Sequence, residues 1–276
     1  MKFTKMQGIG NDYIYFDCTA QPVEHPEELA VKLSDRHFGV GGDGIVLILP
    51  SACADFRMRM FNADGSEGKM CGNASRCIGK YVFERGLTDR TDLTLETLSG
   101  VKHLHLTVEN GKVARVAVDM GRADFAADRV PVIFNEDEVV EAPFTVNGTE
   151  WRITCVSMGN PHCVIFCDDP AALKLEEIGP MFEHAPIFPE RINTEFVRLR
   201  DAHTLEMRVW ERGSGETMAC GTGACASAAA AVRTGRCAAD EWITVKLRGG
   251  DLRVRVAQDG GVTMEGPAEF VFDGEF

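Results

Sequence analysis

Two cysteines, Cys71 and Cys220, occupy the same place in two copies of one segment. The copies read MRMFNADGSEGKMCGN from Met58 and MRVWERGSGETMACGT from Met207, at an offset of 149 residues. Each cysteine is followed by glycine and then by a stretch that reads as a helix, so each thiol is expected just ahead of a helix N-terminus. The first N–H groups of a helix have no partner within it, and the helix dipole places partial positive charge there. Such a position favours thiolate over thiol and offers a seat for a carboxylate. One thiolate can remove the hydrogen from a carbon beside a carboxylate, and a second thiol can return a proton to the opposite face. A duplicated thiol therefore points to inversion at a carbon bearing an acidic hydrogen. Positioned acid–base groups contribute roughly 10²–10⁴-fold each to such a step.

The same offset carries Gly10-Asn11 onto Gly159-Asn160, Glu67 onto Glu216, Gly86 onto Gly235, and Leu98 and Gly100 onto Leu247 and Gly249. It fails where it is most informative: Asn62 falls on Glu211 and Ala63 on Arg212. The other eight cysteines (Cys18, Cys53, Cys77, Cys155, Cys163, Cys167, Cys225 and Cys237) read as small buried hydrophobes. The close spacings Cys71/Cys77, Cys163/Cys167 and Cys220/Cys225 lack the paired C-x₂-C pattern, so no metal site is expected.

These groups need elements to hold them, and the pattern is mixed, with strands dominating. In the first half, apolar β-rich runs fall at 2–6, 13–17, 44–49, 56–62, 93–97, 101–109 and 113–119. The second half repeats them at 151–157, 162–166, 194–200, 204–210, 242–247, 251–257 and 262–266. Helices are expected over 26–37, 71–85 and 220–234, and in pieces over 169–184. The run GTGACASAAAAV after Cys220 is small-residued all round, which suits a helix buried inside a curled sheet. The duplication predicts two domains, residues 1–120 carrying Cys71 and 121–266 carrying Cys220. The tail 267–276 is expected to return to the first, and 122–143 to form the crossover.

With 45% hydrophobic and 26% charged residues, the composition is that of a soluble globular protein. A net charge of −13 argues against a nucleic-acid surface. No apolar run is long enough to span a bilayer. The opening MKFTKMQGIGND lacks the apolar core of a secretory signal, and ten cysteines without one point to a reducing cytoplasm.

Further motifs accompany the cysteines: GNDY at 10–13, RHFGVGGDG at 36–44, MGNPH at 158–162, ERINTEFV at 190–197 and ERGSGETMACGTGAC at 211–225. In content and order the chain resembles the diaminopimelate epimerase family over nearly its whole length. The resemblance implies an α/β (α+β) fold of two pseudo-symmetric halves, each a mostly antiparallel sheet curled around a central helix. It implies cofactor-independent interconversion of LL- and meso-2,6-diaminoheptanedioate, a small diamino dicarboxylic acid of lysine and peptidoglycan synthesis, by a homodimer. Cys71 and Cys220 are then the acid–base pair. Backbone amides of Gly72, Asn73, Gly221 and Thr222 hold the reacting carboxylate. Asn11, Asn62, Asn160, Asn193, Glu211 and Arg212 match substrate-contacting positions: an arginine for the distal carboxylate, a carboxylate and amide oxygens for ammonium groups. Which substrate end Glu211 serves stays open. So does whether His162 adjusts the protonation of a thiol or is a structural imidazole beside Asn160. Gly44 stands where some members of the family carry glutamine. On this resemblance the departures at Asn62/Glu211 and Ala63/Arg212 choose the substrate.

Gly39–Gly44 satisfies G-x-G-x-x-G, but it follows a helix and precedes a strand, the reverse of a dinucleotide site. A second reading is another two-cysteine racemase such as a proline racemase. A more distant one is a cysteine hydrolase using His162, which leaves the duplicate thiol without a role. If the two thiols are low in pKa and face each other, reversible oxidative inactivation is expected.

Overall fold

The computed structural model describes residues 1–276, with a mixed α+β fold that is mostly sheet. The chain divides into two compact units, Met1–Asp119 with Glu265–Phe276, and Met120–Met264.

In the first unit the order is β1 (Lys2–Gly8), β2 (Asn11–Asp17), α1 (Pro26–Ser34), β3 (Gly44–Leu49), β4 (Phe56–Asn62), β5 (Glu67–Gly68), α2 (Gly72–Glu84), β6 (Asp92–Thr97), β7 (Gly100–Glu109) and β8 (Lys112–Arg122). Neighbouring strands run β1-β2-β3-β4-β6-β7-β8, antiparallel except for the parallel pairs β2–β3 and β4–β6. Phe3, Ile14, Phe16, Ile45, Leu47 and Phe61 on the sheet bury Ala30 and Leu33 of α1. α2 packs against β1 and β7, and its residues are buried from Gly72 to Val82.

The second unit repeats this with β9 (Ala142–Val146), β10 (Thr149–Ser157), β11 (Pro161–Phe166), a 3-10 turn (Pro170–Ala172), α3 (Leu175–Glu183), β12 (Asn193–Asp201), β13 (Thr204–Glu211), β14 (Gly215–Glu216), α4 (Gly221–Arg233), β15 (Trp242–Leu247), β16 (Gly250–Val256) and β17 (Gly261–Gly266). The strand neighbours are β9-β10-β11-β12-β13-β15-β16, with β11–β12 and β13–β15 parallel. β10 to β13, β15 and β16 all touch α4, so the sheet curls around that helix. Ala224, Cys225, Ala226, Ala228, Ala230 and Ala231 are fully buried, as the all-round small residues predict. The last strand, β18 (Glu269–Glu275), belongs to the first unit and pairs antiparallel with β1.

Four departures from the sequence reading have local causes. α1 stops at Ser34 rather than His37 because the Asp35 carboxylate accepts from His37 N (2.7 Å) and Phe38 N (2.8 Å), competing with the helix. β9 was not expected; it forms a hairpin with β10 through Asn147-Gly148, both at positive φ, as a two-residue hairpin turn requires. The segment ahead of it is more than a crossover, since Val130, Val132 and Val139 enter the core of the second unit. Finally, the single offset breaks. Both α2 and α4 end in a left-handed glycine, Gly86 and Gly235, with matching C-terminal hydrogen bonds from Leu87 N to Val82 O and from Arg236 N to Ala231 O. Beyond them the hairpin pairs Thr97 with Gly100 in one unit and Leu247 with Gly250 in the other. One extra residue therefore lies between Cys237 and Trp242, and Gly100 corresponds to Gly250, not Gly249.

Candidate active site

In the first unit β4 leads through the β5 arm to Cys71, the N-cap of α2 (φ −138°, ψ 119°), whose sulfur accepts from Ala74 N at 3.5 Å. Asn73 is buried in the first turn, and its Nδ2 donates to Asn11 Oδ1 at 3.3 Å. The Cys71 thiol donates to the same oxygen at 3.6 Å. Asn11 is turned this way by Asp43, whose carboxylate accepts from Asn11 Nδ2 at 2.6 Å and from Asp12 N at 3.1 Å. Asp43 sits in the glycine-rich loop ahead of β3, held by Arg36 at 3.1 Å. Arg36 also pairs with Asp12 (2.7 Å), as does Lys5 (2.6 Å). Burial works against the Asp12 carboxylate, but these two cations prevail and hold it below the usual carboxylate range. Asn62, at the end of β4, donates to Ser66 Oγ at 3.0 Å. A side chain at Gly44 would strike the Phe61 carbonyl oxygen, so none is accommodated there on this backbone.

In the second unit Cys220 caps α4 (φ −121°, ψ 109°), 5% exposed, and its sulfur accepts from Gly223 N at 3.3 Å. Thr222 Oγ1 lies 3.5 Å from the sulfur and accepts from Asn160 Nδ2 at 3.3 Å. Asn160 Oδ1 faces His162 Nε2 at 3.1 Å, and His162 Nδ1 lies 2.7 Å from Glu195 Oε1. The imidazole therefore reaches the thiol through Asn160 and Thr222. Glu211 accepts a short hydrogen bond from Thr217 and lies close enough to Cys220 to be hydrogen-bonded by its thiol; burial raises its carboxyl above the ordinary value. Asn193 spends its amide on the main chain, accepting from Arg212 N at 2.9 Å and donating to Pro161 O at 2.8 Å, while Arg212 Nη1 donates to Glu190 O at 2.8 Å.

The expectation of a lowered thiol does not hold for Cys220. Burial, and then the charges of Glu211 and Glu195, push it well above the ordinary thiol value, overriding the Thr222 hydroxyl and the Gly223 N–H. Burial and two nearby carboxylates here outweigh what the helix end offers a thiolate. Cys53 also departs from expectation: it is exposed, and Cys167 is half-buried.

The motifs contained Asp12, Arg36 and Asp43 behind Asn11, and Thr217 and Glu195 behind Glu211 and His162, but no role was read for them, and Lys5 lay outside every motif. Sequence reasoning did notice Arg59/Arg208 and Glu67/Glu216 as repeats. They form equivalent ion pairs, 2.7 and 2.8 Å, that pin the arm before each cysteine. No group of three or more His, Cys, Asp or Glu side chains could hold a metal ion, and no helix is long and apolar enough to cross a membrane.

The family model described as diaminopimelate epimerase matches residues 3–126 and 154–271. A diaminopimelate epimerase of Acetivibrio thermocellus is 54% identical over 276 residues, covering 100% of this chain and 98% of its own. One from Methanococcus maripaludis is 52% identical, covering 100% and 99%. Among solved structures, a hydroxyproline epimerase from Agrobacterium vitis superposes with a TM-score of 0.69 at 15% identity, covering 99% of this chain and 91% of that one. A Bacillus anthracis phenazine biosynthesis protein of the PhzF family does so at 0.69 and 18%, covering 100% and 98%. At such identities these structures speak for the fold alone. The whole-length likeness at about half of all positions speaks for more: the chain belongs to the diaminopimelate epimerase family.

Proposed function

We propose that this isomerase interconverts LL- and meso-2,6-diaminoheptanedioate without a cofactor, using Cys71 and Cys220 as its two acid–base groups. The observation that carries the reading is the duplicated cysteine at a helix N-cap, in a chain about half identical to diaminopimelate epimerases along its length. One thiolate removes the α-hydrogen. The electron pair of the broken C–H bond passes into the adjacent carboxylate, and the other thiol delivers a proton to the opposite face. The N–H groups of Gly72 and Asn73, and of Gly221 and Thr222, stand in first helical turns, where no carbonyl of the same helix can take them. They are suited to a carboxylate gaining negative charge, a kind of donor worth roughly 2.7–4 kcal/mol each by analogy with oxyanion holes.

Asn11, Asn62, Asn160, Asn193 and Arg212 are assigned to the substrate's polar ends, with Arg212 for the remote carboxylate. Glu211 is assigned to the reacting end, on its closeness to Cys220. The family resemblance supports a cytoplasmic homodimer acting in lysine and peptidoglycan synthesis. The test is incubation with the LL isomer in deuterated water and no added cofactor. Deuterium is expected at the α-carbon, with Cys71→Ala and Cys220→Ala each losing at least about 10²-fold. Absence of exchange sinks the substrate assignment. Exchange that survives both substitutions sinks the two-thiol mechanism.

A further inference from the structure

Glu183 is the last residue of α3 and is buried. Both facts count against a carboxylate. The C-terminal end of a helix disfavours negative charge, and a buried carboxylate needs partners to satisfy it. The partners come from three places in the second unit. Trp210 Nε1 of β13 donates to one oxygen at 2.7 Å. Gly213 N, in the turn between β13 and β14, donates to the other at 2.9 Å, and Arg191 Nη1, ahead of β12, reaches that same oxygen at 3.2 Å. The exposed His184 ring lies 3.9 Å from it. α3 comes this close because Gly179 has no side chain to meet the Trp210 ring.

These contacts fall beside groups assigned to the substrate. Arg212 immediately precedes Gly213, and Asn193 lies just beyond Arg191. Asn193 Oδ1 accepts from Arg212 N at 2.9 Å, and Arg212 Nη1 donates to Glu190 O at 2.8 Å. The turn and the segment ahead of β12 are thus tied to each other, and both to one carboxylate. Arg191 has a φ of 60°, a left-handed backbone that a residue with a side chain adopts only when its surroundings hold it there.

The first unit is built otherwise at every one of these positions. Ser34 stands in place of Glu183, Phe61 in place of Trp210, and Gly42 in place of Arg191. Asp64 stands in place of Gly213 and closes its own turn, accepting from Ser66 N at 2.9 Å and Ser66 Oγ at 2.6 Å. The shared fold therefore does not require the Glu183 brace. It occurs in the unit whose turn carries Glu211 and Arg212 instead of Asn62 and Ala63. We propose that Glu183 is a positioning residue for the remote end of the substrate. It holds the Arg212 backbone and the segment leading to Asn193 as one piece.

The proposal rests on Arg212 binding the remote carboxylate, and steady-state kinetics separate the two ideas. Contacts to an unreacting end are alike before and during proton transfer, so their loss appears in KM rather than kcat. Arg212→Ala tests the underlying reading. Glu183→Gln keeps the shape of the side chain, but one carbonyl oxygen cannot accept from both sides. It is expected to raise KM about tenfold, the size of one hydrogen bond to a charged group, with kcat held within about threefold. On an Arg212→Ala background the same change should raise KM no more than about twofold, since the guanidinium it places is gone. A fall in kcat at unchanged KM, the mark of a merely structural role, overturns the proposal, as do fully multiplied KM losses in the double variant. A normal KM in Arg212→Ala overturns the underlying reading and the proposal with it. Should Glu183→Gln not fold, Trp210→Phe, the side chain the first unit carries there, frees the carboxylate from one side. KM should then rise about threefold at a held kcat, and an unmoved KM overturns the proposal.

Discussion

Cys71 is half-buried and meets a carbonyl oxygen, whereas Cys220 is buried among carboxylates. Because Glu211 is the largest electrostatic contributor to the raised Cys220 thiol after burial, Glu211→Gln should lower the pH at which Cys220 alkylates, while turnover falls. An unchanged alkylation profile would separate Glu211 from the thiol. It follows that Cys71, not Cys220, should be the first of the pair to react with an oxidant at neutral pH. Asp12 offers a second test. Its folded value is depressed, so its stabilisation is complete above the unfolded carboxylate value, about pH 4, and is lost as pH falls through the lower folded value. Asp12→Asn should therefore destabilise by about 1 kcal/mol at pH 7 and progressively less below pH 4, measured by urea midpoints. The thiols and asparagines were legible in the sequence because duplication and residue type mark them. Asp43 and Glu195 were not, because they lie 32 and 33 residues from the groups they orient, and only strand pairing brings them together.

The two central helices begin and end at equivalent residues, and their packing differs in one instructive place. Gly79 in α2 faces Leu106, which a Cβ would approach to 2.8 Å, whereas the equivalent position in α4 is already Ala228. Gly79→Ala should cost about 1–3 kcal/mol through overpacking, read as a fall in urea midpoint at unchanged m-value. Helix starts were legible because a cysteine-glycine step before small residues has a local meaning. The end of α1 was not, since it depends on how the Asp35 carboxylate folds back. The one-residue insertion before β15 was hidden by Gly249-Gly250, where either glycine can sit opposite Gly100 until hairpin register chooses.

The first unit is completed by its last strand. β18 supplies the partner of β1, and Arg85 grips Asp273 through both carboxylate oxygens at 2.6 and 2.8 Å while lying over the Phe270 ring. Phe272 packs edge-on against Phe3. Removing residues 269–276 should destabilise this unit by several kcal/mol, since it exposes a strand edge and unpairs apolar surface. Hydrogen exchange should show the loss at β1 and β2 before β10 and β11. The second unit is a continuous piece of chain, while the first is closed by residues 275 positions apart. On the ribosome these facts reverse the usual order. The half translated first must wait, with β1 lacking one neighbour, until β18 emerges. The half translated second has its whole span, Met120–Met264, before β18 is made. A nascent chain arrested short of residue 269 would thus offer an open sheet edge, and that interval is when this protein is most dependent on something else to cover it.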